Sequence, residues 1–353
     1  MSRDVAIVAT AQRPMETHTL LTSVELLAPT LIGVLERAGI ERSEVGFWCH
    51  GSCDYMSGQP FSFISAVDAI GAWPPIVESH VEGDGALALY EAWVKIQTGE
   101  CDTAVVFANG KTTAGTIDRV MTLQLDPYTV APLWPGATAL AALQARACLD
   151  AGGAVTEAAM AEVAAASISA GLANPNVGWG VAATADELLD RPYANAPLRA
   201  HDCGLPVDGA VAVVLAAGDA ARSLCERPAW IRGIDHRIDT QRLGARSLTE
   251  SASTAIAARH AGVLGDRIDV AELYAPYSHQ LLLLLTALGL DPERTSINPS
   301  GGALCANPQM AAGLVRFAEA ADRVLAGTAD RAVAHSTSGP CLQQNLVALL
   351  EGE

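Results

Sequence analysis

The sequence predicts an α/β protein made of two similar halves, and three observations carry that expectation. Half of the 353 residues are hydrophobic and 17% are charged, enough apolar mass for a core of two-domain size. Aromatic residues supply only 5%, so small and branched aliphatics dominate, which suits closely packed helices and strands buried on both faces. Apolar runs of strand length alternate with stretches of helical period along the chain, the order of βαβ units.

Val5 to Thr10 starts as a buried strand, and Ser23 to Ala38 repeats apolar residues at helical spacing before stopping at Gly39. Val45 to Cys49 is extended, Ala86 to Ile96 is a helix ended by Thr98-Gly99, and Thr103 to Ala108 is a compact strand. Lys111 to Gly136 carries Thr, Asp, Pro and Gly with little periodicity and predicts a loop over the core, the kind of segment that carries substrate contacts. Two helices, Ala137 to Ala151 and Glu157 to Ala170, flank Gly152-Gly153. A short helix over Thr184 to Leu189 ends before Pro192, and Asp208 to Leu215 forms a strand of small residues.

The order then restarts: strand Ala229 to Asp235, helix Ser251 to Ala261, strand Val270 to Tyr274, helix His279 to Leu288, a glycine loop at 300 to 302, helix Met310 to Leu325, and strands Ala332 to His335 and Leu346 to Leu350. We place the boundary near residue 220, giving halves 1–220, with a loop region over 111–200, and 221–353.

A formal charge of −17 without a Lys/Arg cluster argues against nucleic acid and against anionic membranes. The acidity reads as a solvated surface or, more sharply, as a match for a basic partner. No leader pattern and no apolar run of membrane-spanning length is present, so a cytoplasmic location is expected. The eight cysteines lack CxxC pairs and sit in apolar surroundings, as reduced core thiols do. Cys49, His50 and Cys53 have no second ligand pair at metal-site spacing, and no metal is expected.

Five blocks in order resemble the thiolase superfamily, most of all its sterol-carrier-protein-type and lipid-transfer branch. They are Asn174-Pro175 with Pro197-Leu198, Asp208-Gly-Ala-Val-Ala-Val-Val-Leu215, Glu272-Leu-Tyr-Ala-Pro-Tyr277 with its following helix, Asn298-Pro-Ser-Gly-Gly-Ala303, and His335 to Leu350. The resemblance implies a five-layer αβαβα thiolase-like fold, with two central helices meeting at the active site and dimers formed through the first half. It also implies an acyl-CoA substrate and no cofactor beyond the CoA of that substrate.

Thiolases use a cysteine at a helix N-terminus, where the helix dipole favours the thiolate, and a histidine in a Gly-His-Pro loop. By this resemblance the cysteine position holds Glu82, a poor acyl carrier because its anhydride hydrolyses readily. Gly-His-Pro becomes Ala306-Asn307-Pro308, and Asn307 cannot exchange a proton near neutral pH. Gln280 falls at the family's active-site asparagine as an amide donor, and either His335 or Cys341 points into the site from the last loop. Tyr274 and Tyr277 are candidate acid and base, with aromatic packing beside Pro276 as their alternative role. His279 and the backbone amides of Gly301 and Gly302 complete the candidate set.

The leading expectation is carbon–carbon bond cleavage or formation on an acyl-CoA thioester without a cysteine nucleophile, retro-aldol in type, with the acyl chain, steroid or linear, left open. The alternatives are a catalytically silent subunit assembled with an active thiolase paralogue, and a lipid or acyl-CoA carrier. Expected partners are a second copy, such a paralogue, or an OB-fold zinc-ribbon protein.

Overall fold

Ten strands form one sheet in the computed structural model, which describes residues 3–265 and 267–353. The first five are β1 (Val5–Gln12), β2 (Phe47–Ser52), β3 (Glu78–Glu82), β4 (Thr103–Lys111) and β5 (Asp208–Ala217). The second five are β6 (Ala229–Ile238), β7 (Val270–Leu273), β8 (Ser296–Ile297), β9 (Arg331–Ser338) and β10 (Gln344–Glu351). From the middle of the sheet outwards the first set runs β1-β5-β4-β2-β3 and the second β6-β10-β9-β7-β8, the same order shifted by one half. The pairing directions also agree, antiparallel for the inner two pairs and parallel for the outer two. The chain is therefore a duplication in topology, although its halves share no obvious sequence repeat.

The halves join where β1 meets β6 antiparallel, at Ala6 opposite Trp230 and Ile7 opposite Ala229. Helices lie in three layers around the two half-sheets. On the outside of the first half are α1 (Ser23–Ala38) and α2 (Phe63–Ile70). Between the half-sheets run α3 (Gly85–Gln97) and, later in the chain, α9 (Ala312–Leu325). Further helices are α4 (Ile117–Leu123), α5 (Ala137–Ala151), α6 (Glu157–Ala173), α7 (Ala252–His260) and α8 (Ser278–Leu288), and four short ones cover Asp54–Ser57, Ala185–Leu189, Gly218–Leu224 and Gly302–Cys305.

Period-two alternation builds these layers. On β4, Ala104, Val106 and Ala108 enter the central core with α3 and α9, while Val105 and Phe107 face α1. On β9, Ala332 and Ala334 face the same central core, while Val333 joins Ala257, Leu284 and Ala145 in the outer layer of the second half. Sandwiched between two sheets, α9 has no solvent face: even Arg316 and Glu319 are buried along it. This is the five-layer αβαβα arrangement expected from the sequence.

Two segments differ from the expectation. The stretch over 111–136 is not a plain loop but holds α4, which buries Thr122 and turns Ile117 and Met121 to a cavity. The helix expected from Met310 starts at Ala312, since Met310 adopts a left-handed φ of 72°. Strand β3 and helix α2 carried no sequence signal strong enough to be placed. No helix among the described residues is long and apolar enough to cross a membrane.

Candidate active site

The central helices point their N-termini at one place, and Asp84 sits there. It is the N-cap of α3, accepting from Ala86 N at 2.9 Å, as Asp in a Gly-Asp-Gly entry to a helix does. The same carboxylate accepts from Gly313 N at 2.9 Å and Leu314 N at 3.1 Å, the first turn of α9, and from the Ser336 hydroxyl of β9. Burial pushes the Asp84 carboxyl up to about 6, against the lowering pull of these donors. Four donors fill the lone-pair sites a carboxylate offers, so Asp84 is a staple between the two halves.

A cavity of about 910 Å³ opens beside this staple, a size ordinary for a small-molecule site. Glu82, Tyr274, Tyr277, Gln280, Asn307 and Cys341 all line it, so six of the side chains singled out from the sequence share one space. Glu82, at the end of edge strand β3, is exposed and receives one backbone bond, from Asp54 N to Oε1 at 3.0 Å. Tyr274 donates to Asn307 Oδ1 at 2.9 Å. Burial first, then the charge of Asp84, pushes the Tyr274 hydroxyl above the ordinary phenol range. Burial does the same to Tyr277, which bonds Thr138. Both phenols are therefore protonated donors at neutral pH.

The remaining candidates lie elsewhere. His335 is on the face of β9 opposite Ser336, where its Nε2 meets Asn345 Oδ1 at 3.0 Å and burial lowers its pKa to about 4. Of the pair His335 and Cys341, only Cys341 reaches the cavity. His279 turns its Nε2 to Gln144 Oε1 at 3.2 Å, and burial lowers its pKa to about 3. The amide donor of Gln280 goes to that same oxygen at 2.9 Å, not into the cavity, and its Oε1 is buried without a protein partner. Gly301 and Gly302 are outside the cavity wall: a Cβ on Gly301 would stand 2.7 Å from Gly171 Cα, and Gly302 N donates to Ser300 Oγ at 3.2 Å. The glycine loop thus serves close packing on α6 rather than oxyanion binding, and left-handed φ values of 96° and 63° explain the residue type.

That loop is held by a buried pair beneath it. Glu272 and Arg316 meet at 2.9 Å, and Ser300 donates its hydroxyl to Glu272 at 2.6 Å and its amide to the other carboxyl oxygen at 3.0 Å. Asn298 clamps both backbone groups of Leu273.

Sequence reasoning missed Asp84, Cys53, Cys203, Asp118 and Gln144. The N-cap pattern before α3 could have flagged Asp84; the others carry no local signal. Burial pushes the thiol of Cys203 up to about 12 and that of Cys341 up to about 11, and raises Cys53 as well, with Glu82 adding to the rise. None of the three thiols lining the cavity is poised as a thiolate.

No family model matches the chain. It is 24% identical over 348 residues to the acetyl-CoA acetyltransferase of Methanothermobacter thermautotrophicus (strain Delta H), covering 90% of each protein. Among solved structures it is similar to the Ltp2-ChsH2(DUF35) aldolase, with a TM-score of 0.81 at 19% identity over 99% of this chain and 97% of that one. Human mitochondrial 3-ketoacyl-CoA thiolase gives a TM-score of 0.78 at 16% identity over 99% of both chains, and its complex with CoA gives the same score over 98% of that chain. Duplicated five-strand halves, two central helices stapled at their N-termini and these neighbours agree: the chain has the thiolase fold.

Proposed function

We propose that this protein cleaves or forms a carbon–carbon bond in an acyl-CoA thioester by retro-aldol or aldol chemistry, with no covalent cysteine intermediate. The observation that carries this reading is the make-up of the cavity: the exposed carboxylate of Glu82, two protonated phenols, and thiols that burial holds in the neutral form. The likeness to an acetyltransferase and to an aldolase supports the reaction class.

In the cleavage direction Glu82 takes the proton of the β-hydroxyl group. Its oxygen becomes a carbonyl as the Cα–Cβ bond breaks, and the electron pair passes into the thioester enolate. Tyr277 donates a hydrogen bond to the enolate oxygen, Tyr274 does so by turning its one O–H away from Asn307 Oδ1, and a phenol or water returns a proton to Cα. Before substrate enters, Asn307 Oδ1 accepts the Tyr274 hydroxyl and holds the ring in place. Asp84, with its acceptor sites filled, holds the walls together.

The test is incubation of purified protein, alone and with any co-purifying subunit, with β-hydroxyacyl-CoA esters, scoring the released carbonyl product and shortened acyl-CoA. If both preparations leave β-hydroxyacyl-CoA and β-ketoacyl-CoA esters intact, the reading is wrong.

A second reading, a subunit that works with another thiolase-fold chain, is favoured by the edge of the first half. Among the described residues strand β3 has no outer neighbour, and Phe61, Trp73 and Val77 nearby are 63%, 83% and 66% exposed. The aldolase neighbour carries a second named component, ChsH2(DUF35), which supports the same expectation. Isolation of a stable, active homodimer would count against it.

A further inference from the structure

The carboxylate proposed as the base is held by the loop that follows its neighbouring strand. Glu82 ends edge strand β3 directly opposite Ser52, the last residue of β2. From Ser52 the chain makes one helical turn over Asp54–Ser57 and comes back at Ser62 to begin α2. Asp54 serves both ends of that loop. Its backbone N–H donates to Glu82 Oε1 at 3.0 Å, while its carboxylate accepts from Phe61 N at 3.0 Å and from Ser62 N at 2.9 Å.

The two accepted bonds answer a local cost. Phe61 has a left-handed φ of 56°, a conformation an aromatic residue adopts only when its surroundings impose it. One carboxylate with an oxygen on each of two consecutive amides imposes it here. The Ser62 amide first, then the Ser62 hydroxyl and the Phe61 amide, hold the Asp54 carboxyl below the usual carboxylate range, so it is ionised at neutral pH.

The same loop is fastened to β3 a second time. Ser62 Oγ meets Ser52 Oγ at 2.7 Å, Ser52 Oγ meets His80 Nε2 at 2.8 Å, and the Phe63 ring stacks on His80 with centroids 5.5 Å apart. His80 and Glu82 are two residues apart on one strand and share a face. The loop therefore grips that face of β3 at both residues. Asp54 itself is not among the described residues that line the cavity.

An exposed glutamate at a strand end is free to change rotamer, whereas a general base has to stay within hydrogen-bond reach of the proton it takes. From this geometry we infer that Asp54 is the positioning residue for Glu82: by closing the 54–62 loop it sets the N–H that holds one carboxylate oxygen and so keeps the base at the cavity. The inference rests on the function proposed above and adds to it a residue outside the cavity wall.

The experiment is a cycle of Asp54→Ala, Glu82→Gln and the double variant in the full chain, with any co-purifying subunit, measuring kcat and KM on a β-hydroxyacyl-CoA ester. Asp54→Ala is expected to lower kcat about tenfold with KM within about twofold, because a misplaced base slows the chemical step more than it weakens binding. Asp54→Asn, which keeps one acceptor oxygen for the loop amides, should recover part of that loss. Once Glu82→Gln has removed the base, Asp54→Ala should cost nothing further. An unchanged kcat in Asp54→Ala overturns the inference. So does a loss that multiplies with that of Glu82→Gln, since the loop would then act on the cavity and not on the base. Where urea unfolding shows that Asp54→Ala does not fold, Asp54→Asn takes its place in the cycle, with an expected loss of about threefold that disappears in the Glu82→Gln background. All these outcomes presuppose turnover by the parent chain; a parent that leaves the ester intact fails the proposed function itself, and the inference falls with it.

Discussion

Asp84 and Gly313 meet across the two halves of the fold, the carboxylate of one accepting from the amide of the other at 2.9 Å. Their fit leaves no room for a side chain: a Cβ on Gly313 would stand 2.0 Å from Ser336 Oγ and 2.3 Å from Asp84 Oδ1. Two helix N-termini are thereby closed by one buried charge, and the cavity wall is built around the contact.

Gly313→Ala is expected to destabilise the protein by about 3 kcal/mol, since backbone and a buried staple must shift to admit one methyl group. Urea unfolding at pH 7 measures it. A midpoint equal to that of the parent chain would show that the contact is looser than described.

Stability should also change with pH through Asp84. The folded carboxyl is raised to about 6 from an ordinary 3.8, so the native state holds this proton more tightly than the unfolded state. The group's contribution is fully present below about 4 and is lost as pH rises through about 6. Compared with the non-titrating Asp84→Asn variant, the parent chain should lose unfolding free energy across that window. A flat difference, or one of opposite slope, contradicts the assignment.

Catalysis should depend on the carboxylate and phenols and not on the thiols. Glu82→Gln and Tyr274→Phe are each expected to lower kcat by about 10² or more, the usual worth of a positioned acid or base. A Cys53→Ala, Cys203→Ala, Cys341→Ala triple variant should keep kcat within about tenfold. Loss of turnover in the triple variant with the tyrosine variant unaffected would reverse the roles.

The pair beneath the glycine loop gives a separate prediction about stability. Removing the charge in Arg316→Met leaves Glu272 buried without its partner and is expected to cost about 3–5 kcal/mol. The double variant Glu272→Gln, Arg316→Met should recover part of that loss, and denaturant unfolding of both proteins decides it.

Much of the fold was legible along the chain because its elements are locally marked. Ser23 to Ala38 has both its apolar period and Gly39 with φ 65° at its end, and the helix occupies those residues. Strands such as Asp208–Ala217 announce themselves as unbroken runs buried on both faces. Strand β3 escaped because Glu-Ser-His-Val-Glu is polar and lies at a sheet edge, and α4 because its apolar residues face a cavity rather than a core. Glu82, Tyr274, Tyr277 and Asn307 were found through the order of blocks along the chain.

The amino-acid sequence by itself determined the α/β layering, the thiolase-like order of elements and the absence of a cysteine where α3 begins. Tertiary structure alone decided which side chains face the cavity. His335 and Ser336 are neighbours in sequence yet lie on opposite faces of one strand, and Gln280 reaches the cavity while sending its donor to Gln144. The reason is geometric: local propensity fixes where a strand or helix runs, but the face that meets the site is set by partners more than a hundred residues away, as Asp84 is set by Gly313 and Leu314.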